Sequence, residues 1–307
     1  MITSICMNPS FDRTVEVDAL TMGEVNRIRT SRLDVGGKGI NVAVVARRLG
    51  LDSRCVGCAG EDGAARLTAT LDREAIDHAF LTVPGSVRTN MKIVSRDGQG
   101  VTELNEPGAE MSRENLNAFF DLAAEKTADS EYTVVTGSLP PGCPEETYRE
   151  LIGRLQGTKC ILDAGGGVLA QGAQARPFLI KPNLRELQMA LGLELRTLRA
   201  IRDAALIFIS RGVDHVLVSM GAMGALYVGR EHTLFAPALR VEASSTVGAG
   251  DAMIGGLLKG LDVEGDMLKA FRYGVAAGAA SVMTEGTQLI VPEDFERLLS
   301  QVRVQEV

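Results

Sequence analysis

The sequence has no tryptophan and only three histidines in 307 residues. Because His78, His215 and His232 show no H-E-x-x-H spacing, a metallohydrolase or a serine–histidine triad has little support. Five cysteines are too few for a disulfide scaffold, which belongs to small secreted chains. Cys55 and Cys58 lie on a predicted strand, facing opposite sides, without the second pair that a zinc site needs. We interpret the cysteines as reduced core residues.

Long apolar runs and a basic, secretory-type start are also missing, so we expect a cytoplasmic protein that does not bind membranes. The formal net charge is -7 and the pI is near 5.2, which argues against nucleic acid as the main partner. The apolar fraction of 45% and the 34 glycines are typical of a compact α/β enzyme with many strand-to-helix turns.

Strands and helices alternate along most of the chain. The buried strands predicted at 132–136, 160–163 and 216–219 are each followed by turns rich in glycine, a pattern that favours a mostly parallel sheet. Strands that alternate apolar and polar residues interrupt this rhythm. They are predicted at 14–17, 25–29, 86–94 and 101–104, the last two joined by a hairpin turn. We expect one domain over residues 1–307, with a small β-sheet lid formed by about 12–34 and 86–106.

The stretch around residues 244–252 organises the predicted site. Its Gly248-Ala249-Gly250 turn opens a helix, and the free N–H groups of such a turn bind anions. Asp251, in the first helical turn, can accept a proton from a hydroxyl held beside it. An anion hole beside a carboxylate suits phosphoryl transfer to an alcohol. Taken alone, the stretch also fits an ordinary strand-to-helix turn.

A second glycine loop, at residues 36–39, opens another helix but lacks the spacing of a P-loop. Its free N–H groups and Lys38 favour an anion, and the Asn41 amide can bind a polyol; a purely structural turn is the alternative. We expect Asp12, in the loop after the first strand, to bind sugar hydroxyls or else to form a turn. Arg88 could close over a phosphate or lie on the surface.

Further residues at the carboxyl edge of the sheet suit a nucleotide. Asn183 and Glu186 at a helix start can hold hydrated Mg²⁺ on its phosphates, although capping alone would explain Asn183. The turn from Gly221 to Gly224 lets phosphates approach the backbone. The small-residue helix at 268–284 leaves a slot for adenine, or only permits close helix packing.

Taken together in chain order, these motifs resemble the ribokinase-like phosphofructokinase B (PfkB) family of carbohydrate kinases. The matching stretches are Asn8 to Asp12, Gly23 to Arg27, Gly36 to Val42, Arg88 to Asn90, Gly137 to Pro140, Lys181 to Asn183, Val218 to Ala222 and Ser245 to Asp251. The resemblance implies a three-layer α/β/α ribokinase-like fold with a β-sheet lid. It also implies ATP-dependent phosphorylation of a sugar hydroxyl, assisted by Mg²⁺.

The resemblance also assigns roles to residues. Asp251 would be the base and the backbone of Gly248, Ala249 and Gly250 the anion hole. The residues implied for the sugar are Asp12, Gly37, Asn41 and Ser138, with Lys38 and Arg88 on a phosphate that the sugar already carries. Those implied for the nucleotide side are Lys181, Asn183, Ser219, Gly221, Gly224 and Thr246, with Asn183 and Glu186 near Mg²⁺. Those corresponding to a monovalent cation (K⁺) loop found in the family are Val247, Ser281, Thr284 and Gly286.

The Gly-Gly-Lys-Gly sequence around Lys38 resembles the family's kinases of ketohexose monophosphates. Residues 23–27 and 88–90 favour fructose 1-phosphate as the substrate and fructose 1,6-bisphosphate as the product. Tagatose 6-phosphate is the alternative, ahead of a 6-phosphofructokinase or a non-catalytic sugar-phosphate sensor. The exposed strands of the lid need cover, which predicts a homodimer in which two lids pair.

Overall fold

Two β-sheets organise the chain in the computed structural model, which describes residues 1–98, 100–284 and 288–307. The strands within these ranges are β1 (Ile2–Cys6), β2 (Ser10–Val17), β3 (Thr30–Gly36), β4 (Ser53–Asp62), β5 (Asp77–Ser86), β6 (Arg88–Ser95), β7 (Gly100–Asn105), β8 (Tyr132–Thr136), β9 (Lys159–Asp163), β10 (Leu179–Ile180), β11 (His215–Ser219), β12 (Ala225–Val228), β13 (Thr233–Ala236) and β14 (Gln305–Glu306).

Helices connect most of these strands. They are α1 (Lys38–Arg48), α2 (Ala64–Arg73), α3 (Arg113–Thr127), α4 (Thr147–Arg154), α5 (Gly166–Gly172), α6 (Leu184–Leu191), α7 (Leu198–Ser210), α8 (Ala249–Glu264), α9 (Met267–Ser281) and α10 (Pro292–Leu299). No helix in the described ranges has both the length and the apolar character needed to cross a membrane. The cytoplasmic location stays a prediction.

The larger sheet has the order β14-β13-β12-β11-β10-β9-β8-β1-β4-β5. Neighbouring strands from β11 to β5 are parallel, and β12 to β14 add an antiparallel edge. One apolar core on this sheet is built with α1, α2, α8, α9 and α10, and a second core with α3 to α7. The predicted three-layer α/β/α fold with a mostly parallel sheet is therefore confirmed.

The cysteines illustrate how this sheet separates the two cores. Cys55 belongs to one core and Cys58 to the other, as the alternation along β4 predicts. All five cysteines are free thiols. Burial raises the pKa of Cys6 to about 11 and that of Cys160 to about 12, so these thiols stay protonated and unreactive near neutral pH. Cys6, Cys55, Cys58 and Cys160 are buried, as predicted for core residues, whereas Cys143 is half-buried.

The smaller sheet has the order β3-β2-β6-β7, and the predicted β6–β7 hairpin is present. The strand predicted at 25–29 is wrong, because those residues form a loop and β2 pairs instead with β3. The Asn26 side chain closes this loop by hydrogen bonds to the backbone N–H and carbonyl of Thr21, at 2.8 and 2.9 Å. Val25 is 88% exposed, so the local alternation had no apolar face to bury.

Candidate active site

A cleft of about 880 Å³ opens where the parallel strands of the larger sheet end. Asp163 ends β9, Lys181 follows β10 and Ser219 ends β11, and all three line it. The sequence-predicted residues that line the cleft are Lys38, Lys181, Asn183, Glu186, Ser219, Gly221, Gly224, Thr246, Gly248, Ala249, Gly250 and Asp251. The structure thus brings together residues from opposite ends of the chain, including the proposed base and anion hole.

Asp251 lies in the first turn of α8, which begins after Gly248 in a left-handed conformation with φ of 78°. Its side chain accepts a 2.8 Å hydrogen bond from Nδ2 of Asn41. Burial raises the pKa of the Asp251 carboxyl to about 6; the negative Asp163 adds to this, while Lys38 and the Asn41 hydrogen bond oppose it. A carboxylate with a pKa close to the working pH is suited to act as a general base.

The start of α8 also meets a buried ammonium group. Nζ of Lys181, a side chain that is 3% exposed, lies 3.1 Å from Oδ1 of Asp163. A side chain at Gly250 would place its Cβ only 3.0 Å from this Nζ, so glycine leaves room for the lysine. The free N–H groups and dipole of the helix start therefore combine with a fixed positive charge.

Asp163 is a central residue that the sequence reasoning missed as part of the site. It is fully buried and accepts hydrogen bonds from Oγ1 of Thr136, at 3.0 Å, and from Nζ of Lys38, at 3.3 Å. Burial alone would raise its pKa, but the ammonium groups of Lys181 and Lys38 lower it to about 2. A carboxylate at the end of a buried parallel strand was the available signal, because such strand ends meet at the ligand edge of the sheet.

Lys38 is the first residue of α1 and reaches into this cleft. Its ammonium group interacts with Asp163 and lies 3.8 Å from Oε1 of Glu186. The negative charge of Asp163, followed by those of Asp251 and Glu186, raises the pKa of Lys38 despite its burial. This lysine therefore stays positive beside the predicted base.

Arg88, the other residue implied for the sugar's own phosphate, is directed elsewhere in this structure. Its Nε and Nη2 atoms donate to the backbone carbonyl of Asn8, at 3.2 and 3.1 Å. The Asn8 amide in turn donates to Oγ of Ser138, at 3.3 Å. Asn8, which the sequence reasoning gave no role, thus joins two residues that it assigned to sugar binding.

Asp12 and Gly37 lie outside the lining of the large cleft. Asp12 is held on the smaller sheet by Ser10, Asn90 and Lys92. Gly37 precedes α1 with φ of 124°, and a Cβ there would lie 2.9 Å from Sγ of Cys6. Both the conformation and the close approach of Cys6 exclude a side chain, so glycine is required here for the packing of the loop before α1.

Asn183 and Glu186 form a reciprocal capping box at the start of α6. Asn183 Oδ1 accepts from the Glu186 N–H, and Glu186 Oε2 from the Asn183 N–H, each at 2.8 Å. Capping therefore accounts for Asn183, while Oε1 of Glu186 is left outside the cap in the cleft. Since no group of three or more acidic, cysteine or histidine side chains suited to a metal occurs in the described ranges, these residues fit Mg²⁺ only through water.

The far part of the cleft is apolar and lies beside α9. Its walls include Val241, Met253, Val275 and Val282, with Gly278 exposing backbone between them. Elsewhere along the same helix pair small residues allow close packing, since a Cβ at Gly260 would lie 2.6 Å from Cα of Ala270 on α9. The close packing expected of the small-residue helix is therefore observed, and the helix also borders the cleft, where a slot for adenine stays a prediction.

The residues that correspond to the cation loop are only partly described. Oγ of Ser281 is buried without a hydrogen-bond partner among the described residues. Oγ1 of Thr284 donates to the carbonyls of Ser281 and Leu289, at 2.9 and 3.2 Å. Val247 borders the start of α8, and Gly286 lies outside the described residues.

The fold and this arrangement of groups are those of a sugar kinase. The chain matches, over residues 6–294, the family described as pfkB family carbohydrate kinase, and it belongs to that family. It is an ATP-dependent sugar kinase.

Individual relatives and solved structures show which members of the family the chain is similar to. The 1-phosphofructokinase of Rhodobacter capsulatus is 35% identical over 306 residues, 99% of this chain and 97% of the relative. The 1-phosphofructokinase of Escherichia coli is 32% identical over 307 residues, 99% of this chain and 98% of the relative. Phosphofructokinase-2 from Escherichia coli, solved in complex with potassium, superimposes with a TM-score of 0.91 at 28% identity over 98% of each chain. The same kinase was also solved in a tetrameric inhibited form, with a TM-score of 0.90.

Proposed function

We propose that this kinase transfers the γ-phosphoryl group of ATP to the free primary hydroxyl of fructose 1-phosphate, giving fructose 1,6-bisphosphate and ADP. The observation that carries the reaction is the buried Asp251 carboxylate, which has a pKa near 6 and begins a helix beside two lysines. The two relatives called 1-phosphofructokinase, each covered almost end to end, support the choice of sugar phosphate.

In the proposed mechanism the substrate hydroxyl is held in line with the γ-phosphorus atom. Asp251 accepts the hydroxyl proton as the new P–O bond forms, and the bond to the ADP oxygen breaks. The ammonium groups of Lys38 and Lys181 and the backbone N–H groups from Gly248 to Gly250 stabilise the charge on the transferred group. Asn41 orients the Asp251 carboxylate through its 2.8 Å hydrogen bond.

The nucleotide would lie along the apolar part of the cleft, with its phosphates against Ser219, Gly221, Gly224 and Thr246. Bound Mg²⁺ would neutralise charge on these phosphates. Glu186, through Oε1, and Asn183 would hold that ion by way of water. Since Lys38 lies beside Glu186 and Asp163, its position supports a contact with the transferred phosphoryl group in addition to one with the sugar phosphate.

On the sugar side, we assign the hydroxyl contacts to Asp12, Gly37, Asn41 and Ser138. Arg88 is the candidate for the phosphate that the sugar already carries, because its guanidinium is bound only to backbone carbonyls in this structure. Neutral carbonyls are weaker partners for a guanidinium than phosphate oxygens, so the arginine can exchange them for substrate.

A substrate panel tests this assignment. ADP release is measured with ATP and Mg²⁺ on fructose 1-phosphate, tagatose 6-phosphate, fructose 6-phosphate and fructose. We expect the highest kcat/KM for fructose 1-phosphate. A preference for tagatose 6-phosphate would retain the mechanism and change the substrate. Turnover of fructose alone would contradict a phosphate contact at Lys38 and Arg88, and turnover of none would leave a sugar-phosphate sensor.

A monovalent cation site beside the start of α8 is also part of the proposal. Among the described residues the buried Oγ of Ser281 has no hydrogen-bond partner, which supports a ligand at this place, and the similar kinase was solved with potassium. We expect K⁺ to increase kcat relative to tetramethylammonium at equal ionic strength. Equal rates in both salts would contradict the site.

We further propose that two lids pair in a homodimer. Every residue of β7 is exposed, and the apolar side chains of Val25, Val101 and Leu104 are 88%, 58% and 56% exposed. An uncovered strand with apolar side chains needs a partner to avoid uncontrolled association. Light scattering at micromolar concentration should give a dimer; a monomer would contradict lid pairing, and a tetramer would add a second interface.

A further inference from the structure

The smaller sheet contains a buried lysine that the proposed mechanism does not use. Lys92 lies in β6 and is 8% exposed, although lysine is rarely buried without a partner. Its Nζ lies 2.9 Å from Oδ2 of Asp12, which is 7% exposed. A buried ion pair is weak evidence for stability. Since Asp12, one member of this pair, is a candidate for sugar binding, the pair calls for a functional explanation.

The other oxygen of Asp12 is also held. Oδ1 accepts hydrogen bonds from Oγ of Ser10, at 2.9 Å, and from Nδ2 of Asn90, at 3.1 Å. Behind the carboxylate, a Cβ at Gly36 would lie 2.9 Å from Cγ of Asp12, so the backbone of β3 closes that side. Three strands of the smaller sheet, β2, β3 and β6, therefore fix this carboxylate.

Asn90 adds a second acceptor at the same place. While its Nδ2 donates to Asp12, its Oδ1 is buried with no hydrogen-bond partner among the described residues. A buried carbonyl oxygen without a donor is uncommon in a folded protein and requires an explanation. A ligand hydroxyl would satisfy both this oxygen and the free lone pairs of Asp12.

We propose that Lys92 is a positioning residue for sugar binding. Its ammonium group holds the Asp12 carboxylate in place through their 2.9 Å hydrogen bond, so that the carboxylate and Oδ1 of Asn90 together accept hydrogens from neighbouring hydroxyls of the ketose. This inference rests on the proposed function, since it assumes that Asp12 contacts the sugar. Lys92 itself makes no contact with the substrate in this arrangement.

The charged groups around Asp12 show that Lys92 supplies its main positive partner. On β3, Asp34 lies opposite Asp12 and is paired with Arg32 at 2.8 Å. On β6, Arg88 interacts electrostatically with Asp12 but donates to backbone carbonyls. Glu103 on β7 lies opposite Lys92 and carries a negative charge.

In the described part of the chain, Lys92 is thus the one cation within hydrogen-bonding distance of Asp12. Without it, the buried carboxylate would keep only the neutral donors Ser10 and Asn90, and Oδ2 would be free to turn away from the position in which it accepts sugar hydroxyls.

The test compares Lys92→Met with Lys92→Arg, and uses Lys126→Met as a matched surface control, because Lys126 pairs with the exposed Glu125. Steady-state kinetics are measured for fructose 1-phosphate and for ATP at neutral pH. We expect Lys92→Met to raise KM for the sugar phosphate by about 10–100-fold, as for loss of a charged hydrogen bond.

The conservative variant and the nucleotide provide internal comparisons. Lys92→Arg should recover most of the sugar affinity, since it keeps a charged donor to Asp12. In both variants kcat and KM for ATP should stay within about twofold, because Lys92 lies outside the nucleotide cleft. An unchanged KM for the sugar phosphate in Lys92→Met, or a KM that Lys92→Arg does not restore, would overturn the positioning role.

The Asp12→Asn variant distinguishes a failure of the role proposed for Lys92 from a failure of the assignment of Asp12 as a sugar ligand. If Asp12→Asn binds the sugar phosphate as well as the wild type, Asp12 is not a sugar ligand and both ideas fail. If Asp12→Asn loses affinity while Lys92→Met does not, only the role of Lys92 fails. Should Lys92→Met not fold, as judged by thermal unfolding, Lys92→Gln retains a weaker donor without charge. A raised KM for the sugar phosphate with an unchanged KM for ATP would then support the proposal, and an unchanged KM for the sugar phosphate would overturn it.

Discussion

Two buried carboxylates line the same cleft, and their surroundings give them opposite properties. Asp163, at the end of β9, touches two ammonium groups and has a pKa near 2. Asp251, at the start of α8, has one neutral hydrogen-bond donor and a pKa near 6. Both are buried, so the number of adjacent positive charges decides which carboxylate stays permanently ionised and which one can exchange a proton.

The difference assigns one carboxylate to structure and the other to chemistry. Asp163 holds Lys38 and Lys181 in the cleft, where we propose that their positive charges contact the phosphates. In the described part of the chain no cation is bonded directly to Asp251, which suits the proposed role of proton acceptor. Removing each carboxyl group should therefore affect different measurable quantities.

The largest expected effect is on turnover when the proton acceptor is removed. Asp251→Asn should lower kcat by about 10²–10⁴, because the amide cannot act as a base. KM for the sugar phosphate should change by about threefold at most, since Asn41 can still hydrogen-bond to the new side chain. A coupled ADP-release assay measures both constants. A variant with wild-type kcat would exclude Asp251 as the base.

Removal of the structural carboxylate should mainly affect stability. Asp163→Asn leaves Lys181 buried without its counter-ion, and a broken buried pair costs about 3–5 kcal/mol in the free energy of unfolding. Guanidinium unfolding at neutral pH measures this loss. Asp121→Asn is the control. The Asp121 side chain is 82% exposed, and its ion pair with Arg154, at 3.7 Å, is long and therefore weak. If the two variants unfold at the same denaturant concentration, Asp163 is not a stabilising counter-ion.

How far the sequence alone predicts this arrangement depends on the distance along the chain between interacting groups. The proposed base and anion hole lie within Gly248 to Asp251, so a local pattern was enough to propose them and to predict the helix start, which the structure has at Ala249. The fold could be predicted for the same reason, because strand 132–136 is a short buried run that a turn ends.

The partners that tune the site could not be predicted in this way. Asn41 and Asp251 are 210 residues apart, Lys38 and Asp163 are 125 apart, and Asp12 and Lys92 are 80 apart. These pairs form only because of the order of strands in the two sheets, which single-sequence periodicity does not specify. The loop at 25–29 was mistaken for a strand for a related reason: alternation predicts a strand only where a surface exists to cover one face.

The same comparison predicts a gain in stability from the inactivating substitution. Above about pH 6 the folded chain must keep Asp251 ionised in a buried position, where its pKa lies above that of the unfolded chain. Asp251→Asn removes this cost and should raise the free energy of unfolding by about 1–3 kcal/mol near pH 8.

The sign of this gain depends on pH. As the pH falls through about 6 towards 4, the wild-type carboxyl becomes protonated in the folded state and the advantage of Asp251→Asn should disappear. Thermal unfolding of both proteins across this range, with Asp262→Asn as an exposed control from the same helix, measures the difference. An advantage that is equally large at low pH would come from packing rather than charge.

The smallest expected effect is a displacement of the pH–rate profile. Because Asp251 must be ionised, kcat/KM should fall as the pH drops below about 6 in the wild type. The negative charge of Asp163 raises the pKa of Asp251, so Asp163→Asn should move this acid limb to lower pH by about 0.5–1 unit. Asn41→Ala removes a hydrogen bond that lowers the pKa and should move the limb to higher pH. Opposite displacements in the two variants would show that the limb belongs to Asp251, whereas a limb that stays fixed in both would assign it to another group.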